Sequence, residues 1–303
     1  MKKKRASETA GYTTAMRAIA NLAPPTEKIL TDPFAVEFLA FPWSLTQPLF
    51  RLKIFNRLIY IAGMKTPDLM VGFPGMTELA CLRHRYIDDQ IIAAYKQGIR
   101  QFIILGAGYD SRALRLPLKN AHFIEIDHPD TQARKQKIIA KKKLKADCKH
   151  SFISSDFSTS WADDIFIDPQ YKTIINNQAT LVIWEGVSCY LKPEAVSYTF
   201  KTVKNMINPG SIFIFDAFPK DITNPNTTNS LLNKMQHFVA RKGEPFYWGE
   251  DLDKLKTTLS ALGFTEIRAQ TIFFIGKALA EKEQLTIKTA EVLNYLHMLK
   301  CYT

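Results

Sequence analysis

The 303-residue sequence is poor in cysteine, and its four cysteines, Cys81, Cys148, Cys189 and Cys301, are scattered. None sits at CxxC spacing. That excludes a zinc motif, predicts no bound metal, and fits free thiols in a reducing compartment. Long apolar runs are absent too: no uninterrupted stretch approaches the ~20 residues that span a bilayer. The basic start Met1-Lys2-Lys3-Lys4-Arg5 runs into the polar SETAGYTTAMRA rather than a signal-peptide apolar core. A cytoplasmic protein without integral membrane association is therefore expected. There is no internal repeat and no long linker. Acidic residues are in deficit, 29 against 40 Lys and Arg, for a formal net charge of +11. Part of the excess gathers in RKQKIIAKKKLKADCK, residues 134–149. Such a run serves either an acidic partner, RNA or a membrane surface, or simply a solvated helix face. No aromatics interleave with these lysines, so base stacking finds no support there.

What is present is ample material for a core, with 46% hydrophobic residues and an ordinary 23% charged. Residues 6–20 read as a short helix broken by Pro24-Pro25. Asp32-Pro33 reads as a helix start, with Asp32 as N-cap. PLFRLKIFNRLIYIAG, residues 48–63, has a broad apolar face with Lys53, Asn56 and Arg57 near one side. It reads as a helix packed in the core or over a pocket, or as one lying on a membrane surface. Residues 77–96 read as a long helix stopped at Gly98. Beyond 101 the pattern changes to short apolar runs, at 102–106, 122–126, 151–154, 180–184 and 211–216, alternating with helical stretches. Near-continuous apolar runs fit parallel strands buried on both faces, and the helices between them predict a doubly wound α/β sheet. Residues 249–262 predict a helix stopped at Gly263. FTEIRA and TIFFIG predict two final antiparallel strands, and 281–300 a closing helix.

In such sheets, ligands sit at the carboxyl ends of the strands. The first strand runs into Gly106-Ala107-Gly108, in FIILGAGYDSRALRL, residues 102–116. The two glycines let the chain turn tightly and let a ligand approach closely. A dinucleotide fingerprint needs G-x-G-x-x-G, but Ser111 stands at the third glycine position, and no Walker GxxxxGK[ST] occurs. The second strand ends in FIEIDHP. Asp127 there is well placed to accept two hydrogen bonds from a ribose diol, with Glu125 of the same parity as the alternative. The third strand ends in Ser155-Asp156-Phe157, where the Asp can accept from an adenine amino group. The fourth, LVIWEGVSCYLKPE, ends in Glu185. Acids at the ends of strands two, three and four, beside a glycine turn after strand one, suit a nucleoside without phosphates.

These four motifs, in this order, resemble the leucine carboxyl methyltransferase-type S-adenosylmethionine-dependent methyltransferases, in particular their bacterial O-methyltransferase branch. LACLRHRYIDDQII, SETAGYTTAMRA…LTDPFAVEFL and GEPFYWGEDLDKLKTTLSALGF share the resemblance, which covers most of residues 6–275. It implies a class I methyltransferase-like, Rossmann-like fold. That fold is a mostly parallel seven-stranded sheet with helices on both faces and an antiparallel terminal hairpin. A helical N-terminal extension and lid, 1–76, would precede a cofactor-binding domain, 77–303, with an insertion at about 217–248. S-adenosylmethionine is the implied cofactor. Gly106 and Gly108 would face its methionine part, Asp127 its ribose, and Asp156 and Phe157 its adenine, with Glu185 beside it. Arg85 would pair with its carboxylate, bidentately as a guanidinium can. Arg83, two positions away, lies on another helix face, so only one of the two would serve.

Methyl transfer from a sulfonium is an in-line displacement, and alignment is the enzyme's main work. A carboxylate acceptor, pKa ~3.5–4, needs no base, whereas a phenol or alcohol benefits from one. His84, His128 and His237 sit in no pattern that marks a base, so no catalytic residue is nominated. Tyr190 is a candidate for shaping the acceptor site. Aromatic residues of 217–248, Phe218, Phe238, Phe246, Tyr247 and Trp248, would line an apolar pocket, pack the insertion on the core, or both. The expected function is O-methyl transfer to a carboxylate or hydroxyl of a small molecule. Relatives of this type also methylate a protein C-terminus or a modified tRNA base, so protein or RNA acceptors are the alternatives. A nicotinamide-dependent dehydrogenase would need the missing glycine. A non-catalytic RNA-binding module would leave the cofactor constellation without a purpose.

Overall fold

Side chains that alternate between the two faces of each fully buried central strand divide the interior into two apolar layers, one on each face of a single sheet. In the computed structural model, which describes residues 8–40, 43–158, 161–162, 174–175 and 178–303, Phe102 and Ile104 of the first strand enter one layer and Ile103 and Leu105 the other. The same alternation runs through Leu181–Trp184 and Ile212–Phe215. It follows from the two-residue period of a strand and requires both faces to be covered.

In chain order the main elements are α1 (Glu8–Ala20), α2 (Asn56–Val71), α3 (Met76–Lys96), β1 (Gln101–Leu105), β2 (His122–Asp127), α4 (Pro129–Lys142), β3 (Lys149–Ser154), β4 (Thr180–Trp184), α5 (Pro193–Met206), β5 (Ile212–Ala217), α6 (Ser230–Arg241), α7 (Leu252–Ala261), β6 (Glu266–Thr271), α8 (Ile272–Glu283) and β7 (His297–Tyr302). The sheet order is β3-β2-β1-β4-β5-β7-β6. β1 to β5 are parallel, and β7 runs antiparallel to both β5 and β6. The strand order reverses between β1 and β4, which opens a crevice at their carboxyl ends. The expected helix 6–20 begins at Glu8, residues 6 and 7 lying outside the described part, as does the basic start of the chain.

Two expectations at the C-terminal end fail. TIFFIG is not a strand: it opens α8, with the Thr271 hydroxyl accepting from the Phe274 N–H at 3.5 Å. Ile272, Gly276 and Leu279 fall on one face of that helix and are buried, the spacing of an amphipathic helix. Residues 281–300 are not a helix either. The chain leaves α8 through Gln284 in the left-handed region, φ 54°, and 297–302 form β7. The last two strands therefore pair antiparallel across a helix and a loop rather than as a tight hairpin.

The N-terminal part is anchored by charge. Arg17 of α1 donates to Asp32 at 2.7 Å and to the Tyr109 carbonyl at 2.7 Å. Asp32 also accepts from the Ala35 N–H at 3.0 Å, but the expected helix start at Asp32-Pro33 is a turn: the short 3-10 helix Ala35–Phe38 has Phe34 as its N-cap. α1 thus lies against the loop that follows β1.

Candidate functional site

A cavity of about 840 Å³ opens at the carboxyl ends of β1, β2 and β4. The structure brings Gly106, Gly108, Asp127, Asp156, Phe157, Glu185 and Tyr190 together on its wall. Gly106 turns with φ 67° and Gly108 with φ 51°. A Cβ on Gly106 would stand 2.4 Å from the Val187 side chain, so this turn has no room for another residue.

Asp127 ends β2 with its carboxylate facing this loop. Its two oxygens accept from the Gly108 N–H and, at 2.6 Å, from the His128 N–H. Burial pushes its pKa up, against the pull of those two amides. Glu125, the alternative, is spent elsewhere: it is buried, paired with Lys135, and accepts from His150 at 2.9 Å. Asp156 accepts from the Ser158 N–H at 2.9 Å, and the Phe157 ring packs on Trp161 with centroids 5.0 Å apart.

Glu185, at the end of β4, is the hub of a buried charge network. One oxygen accepts from Arg83 Nε at 2.8 Å and meets His84 Nδ1 at 2.6 Å; the other accepts from Arg112 Nη1 at 2.9 Å. Burial raises its pKa, but His84, Arg112 and Arg83 outweigh burial and hold it well below the usual carboxylate range. Arg112 also donates to Asp88 at 2.7 Å and to Asp110. Arg83 reaches across to Asp216 on β5 at 2.9 Å. Burial, then the positive field of Arg112, push the His84 pKa down to about 4. His84 is thus uncharged at neutral pH, with Nδ1–H donating to Glu185. Its Nε2 is buried and has no partner among the described residues. Donor atoms of His84, Asp110 and Glu185 lie within 4.8 Å of one another. Arg112 sits between the two acids and supplies the positive charge a metal would bring.

Arg85 does not reach the cavity. Two residues along an α-helix rotate a side chain by about 200°, and Arg85 points outward to Asp89 at 3.0 Å and to Glu283. Arg83 is the arginine of the pair that lines the wall. Sequence marks no role for Arg17, Asp110 or Arg112 and gives His84 no pattern that singles it out as a base; the DSR that follows the glycine turn is the local signal for Asp110 and Arg112.

The far end of the cavity is apolar. Tyr190 and Phe246 stack with centroids 5.4 Å apart, and Phe218 lies 5.6 Å from Phe246. Phe238 and Met235 of α6 and Tyr12 and Met16 of α1 complete this wall. Lys242 adds a cation, its ammonium 5.0 Å from the Tyr12 ring centroid. Phe218, Phe238 and Phe246 therefore both pack in the core cluster and line the cavity, whereas Trp248 is buried in the other core layer with Phe200, 6.1 Å between centroids.

Residues 10–204 match the family model described as leucine carboxyl methyltransferase. A Mycobacterium sp. (strain JLS) protein named as an S-adenosyl-L-methionine-dependent methyltransferase is 27% identical over 281 residues, covering 89% of this chain and 82% of that protein. Bacillus subtilis YktD, named in the same way, is 25% identical over 269 residues, covering 87% and 86%. A Parafrankia protein of the same name is 33% identical over 137 residues, an alignment that spans only 43% of its length. Among solved structures, a Thermobifida fusca protein described as a methyltransferase superposes with a TM-score of 0.56 at 14% identity, covering 82% of this chain and 88% of that one. That likeness is one of fold.

Proposed function

Since the chain belongs to the leucine carboxyl methyltransferase family, we propose that it transfers a methyl group from S-adenosylmethionine to an oxygen of a small acidic molecule. When bound, the cofactor supplies an electrophilic methyl carbon on a cationic sulfur. The residues present fit it. Arg17, Arg83, Arg112 and Arg115 share their network with Asp32, Asp88, Asp110, Glu185 and Asp216, four cations against five anions. The excess carboxylate suits a ligand of net positive charge. His84 Nε2, without a partner among the described residues, is an acceptor for a ligand N–H or O–H.

In this reading Asp127 accepts from the ribose hydroxyls and Asp156 from the adenine amino group, with Phe157 packing beside the ring. Gly106 and Gly108 lie along the methionine part, and Arg83, rather than Arg85, holds its carboxylate. Glu185 positions Arg83 and His84. α1 and α6 close the acceptor end, the part of the chain read as lid and insertion.

The aromatic wall with Lys242 at its end carries the acceptor assignment: it suits a molecule with an apolar body and an anionic group. The state of His84 argues for a carboxylate over a hydroxyl. An imidazole with its pKa near 4 takes a proton poorly at pH 7, and a carboxylate needs none removed.

Calorimetry with S-adenosylmethionine, S-adenosylhomocysteine and NADH, on wild type and Asp127→Ala, tests the cofactor assignment. Binding of the first two, weakened roughly 100-fold in the variant by loss of two charge-assisted hydrogen bonds, is expected. NADH binding in their place would sink it. Radiolabelled methyl transfer to a panel of carboxylic acids and phenols tests the acceptor: a methyl ester releases methanol in mild base, whereas a methyl ether does not.

A further inference from the structure

α2 is apolar on both of its long faces, and only one of them is covered. The covered face packs on α1, where Gly63 approaches Ile19 so closely that a Cβ would come within 2.8 Å of it. On the opposite side Leu58, Ile61, Ala62 and Leu69 follow one another at helical spacing and stand exposed, Leu58 at 65% and Leu69 at 84%. The segment before α2 continues the patch with Leu45, Leu49, Leu52, Ile54 and Phe55. Of the ten large apolar side chains most exposed among the described residues, these account for eight. Such a concentration is unusual for a surface that faces only water.

Charge decides what covers it. Arg51, Lys53, Arg57 and Lys65 are interleaved with the apolar side chains and exposed. From 43 to 71 the one acid is Asp68, and its carboxylate is turned inward to accept from the Gly75 and Met76 N–H groups at 3.0 Å each. Lysine is depleted in protein–protein interfaces. Exposed apolar side chains with basic neighbours on one face are instead the composition of a helix that lies in the boundary layer of a bilayer, its cations at the headgroups. The chain as a whole carries +11, which favours the same partner.

We propose that the face formed by residues 45–69 docks the protein peripherally on an anionic lipid surface. α2 lies flat on that surface, with Ile54, Leu58, Ile61 and Leu69 in the acyl boundary and Arg51, Lys53, Arg57 and Lys65 at the phosphates. The docking stands independently of what the cavity methylates. It places the cavity beside the lipid surface, since Val71 at the end of α2 and Met16 of α1 both line it.

The test is flotation of the full chain with vesicles of phosphatidylcholine alone and of phosphatidylcholine with 30 mol% phosphatidylglycerol. Two variants accompany it: Ile54→Gln/Leu58→Gln/Leu69→Gln and Arg51→Gln/Lys53→Gln/Arg57→Gln. All these side chains are exposed, and an unchanged thermal melt certifies the fold. Wild type floats with the anionic vesicles and at least tenfold less with the neutral ones. Each variant loses binding tenfold or more, about fivefold being expected per basic residue removed, and 0.5 M NaCl weakens wild type. Failure of wild type to float, or flotation that neither variant weakens, overturns the proposal. So does sedimentation showing a dimer that the glutamine triple variant converts to monomer, because the patch is then covered by a second copy.

Discussion

Arg83 and Arg85 are two residues apart and chemically identical, and the helix gives them opposite fates. Arg83 is buried between Glu185 and Asp216, while Arg85 sits half-buried between Asp89 and Glu283. Replacing Arg85 with Met removes a half-buried ion pair that solvent still screens, so about 1 kcal/mol of stability and little cofactor affinity are lost. Arg83→Met leaves Asp216 buried without its cation, while Glu185 keeps Arg112, and costs about 3–5 kcal/mol. It also weakens S-adenosylmethionine binding by tenfold or more. Denaturant melts and calorimetry on both variants check this, and equal binding losses would mean that Arg83 does not hold the cofactor. The acids at the strand ends were legible because each sits where an apolar run stops, and a strand end faces the crevice whatever the details of packing. The arginines were not legible in the same way. A pairing such as Arg83 with Asp216 joins residues 133 positions apart, and RHRY alone does not say which of its cations turns inward.

At the scale of elements, the central parallel strands declared themselves through unbroken apolar runs, and β6 was legible in FTEIRA although its residues alternate between exposed and half-buried. β7 was the strand missed: it follows a stretch with neither Gly nor Pro to mark where α8 ends. A residue in the left-handed region, Gln284, ends that helix, and nothing in its identity announces it. TIFFIG misled for the opposite reason: its apolar run is as short as a strand, but the helical period becomes visible only when Leu279 is counted with Ile272 and Gly276. The glycine turn after β1 is the element on which the cofactor reading depends most. Gly106→Ala places a Cβ 2.4 Å from Val187 at φ 67°. Left-handed backbone costs about 1–2 kcal/mol for a residue with a Cβ, and displacement of Val187 disturbs the cavity wall. The variant stays folded, melts several degrees lower and binds S-adenosylmethionine at least tenfold more weakly. Gly98→Ala is the control: φ is 99° but nothing lies within 4 Å, so only the melt shifts. If Gly98→Ala harms binding as much, the turn is not the ligand's bed.

Over the whole molecule, buried charge does what disulfides or a metal do in other folds. It joins α1, α3, the β1 loop, β4 and β5 through Arg17, Arg83, His84 and Arg112. Such a network makes stability depend on pH, with a sign that can be worked out. His84 is held neutral, with its pKa near 4 against 6.5 for the free imidazole. Between those values the unfolded chain takes up a proton that the folded one refuses, so stability falls as pH drops from about 6.5 to 4. The loss amounts to at most about 3.5 kcal/mol, because each pH unit between the two values contributes roughly 1.4 kcal/mol. Below about 4 the carboxyls of the unfolded chain protonate in turn. Glu185 and Asp110, both held below the usual range, remain ionised in the fold, and stability falls further. Above 6.5 none of these groups adds more. Urea midpoints from pH 4.5 to 7.5 on wild type and His84→Gln isolate the first step, because Gln keeps a donor for Glu185 and does not titrate. Wild type loses stability on acidification over this range. The variant keeps only a smaller slope, part of it from His122, which burial also pushes down to about 4. Parallel slopes for the two proteins would show that His84 takes up its proton as readily in the fold as in the unfolded chain, and the weak-base argument for a carboxylate acceptor would fall with it.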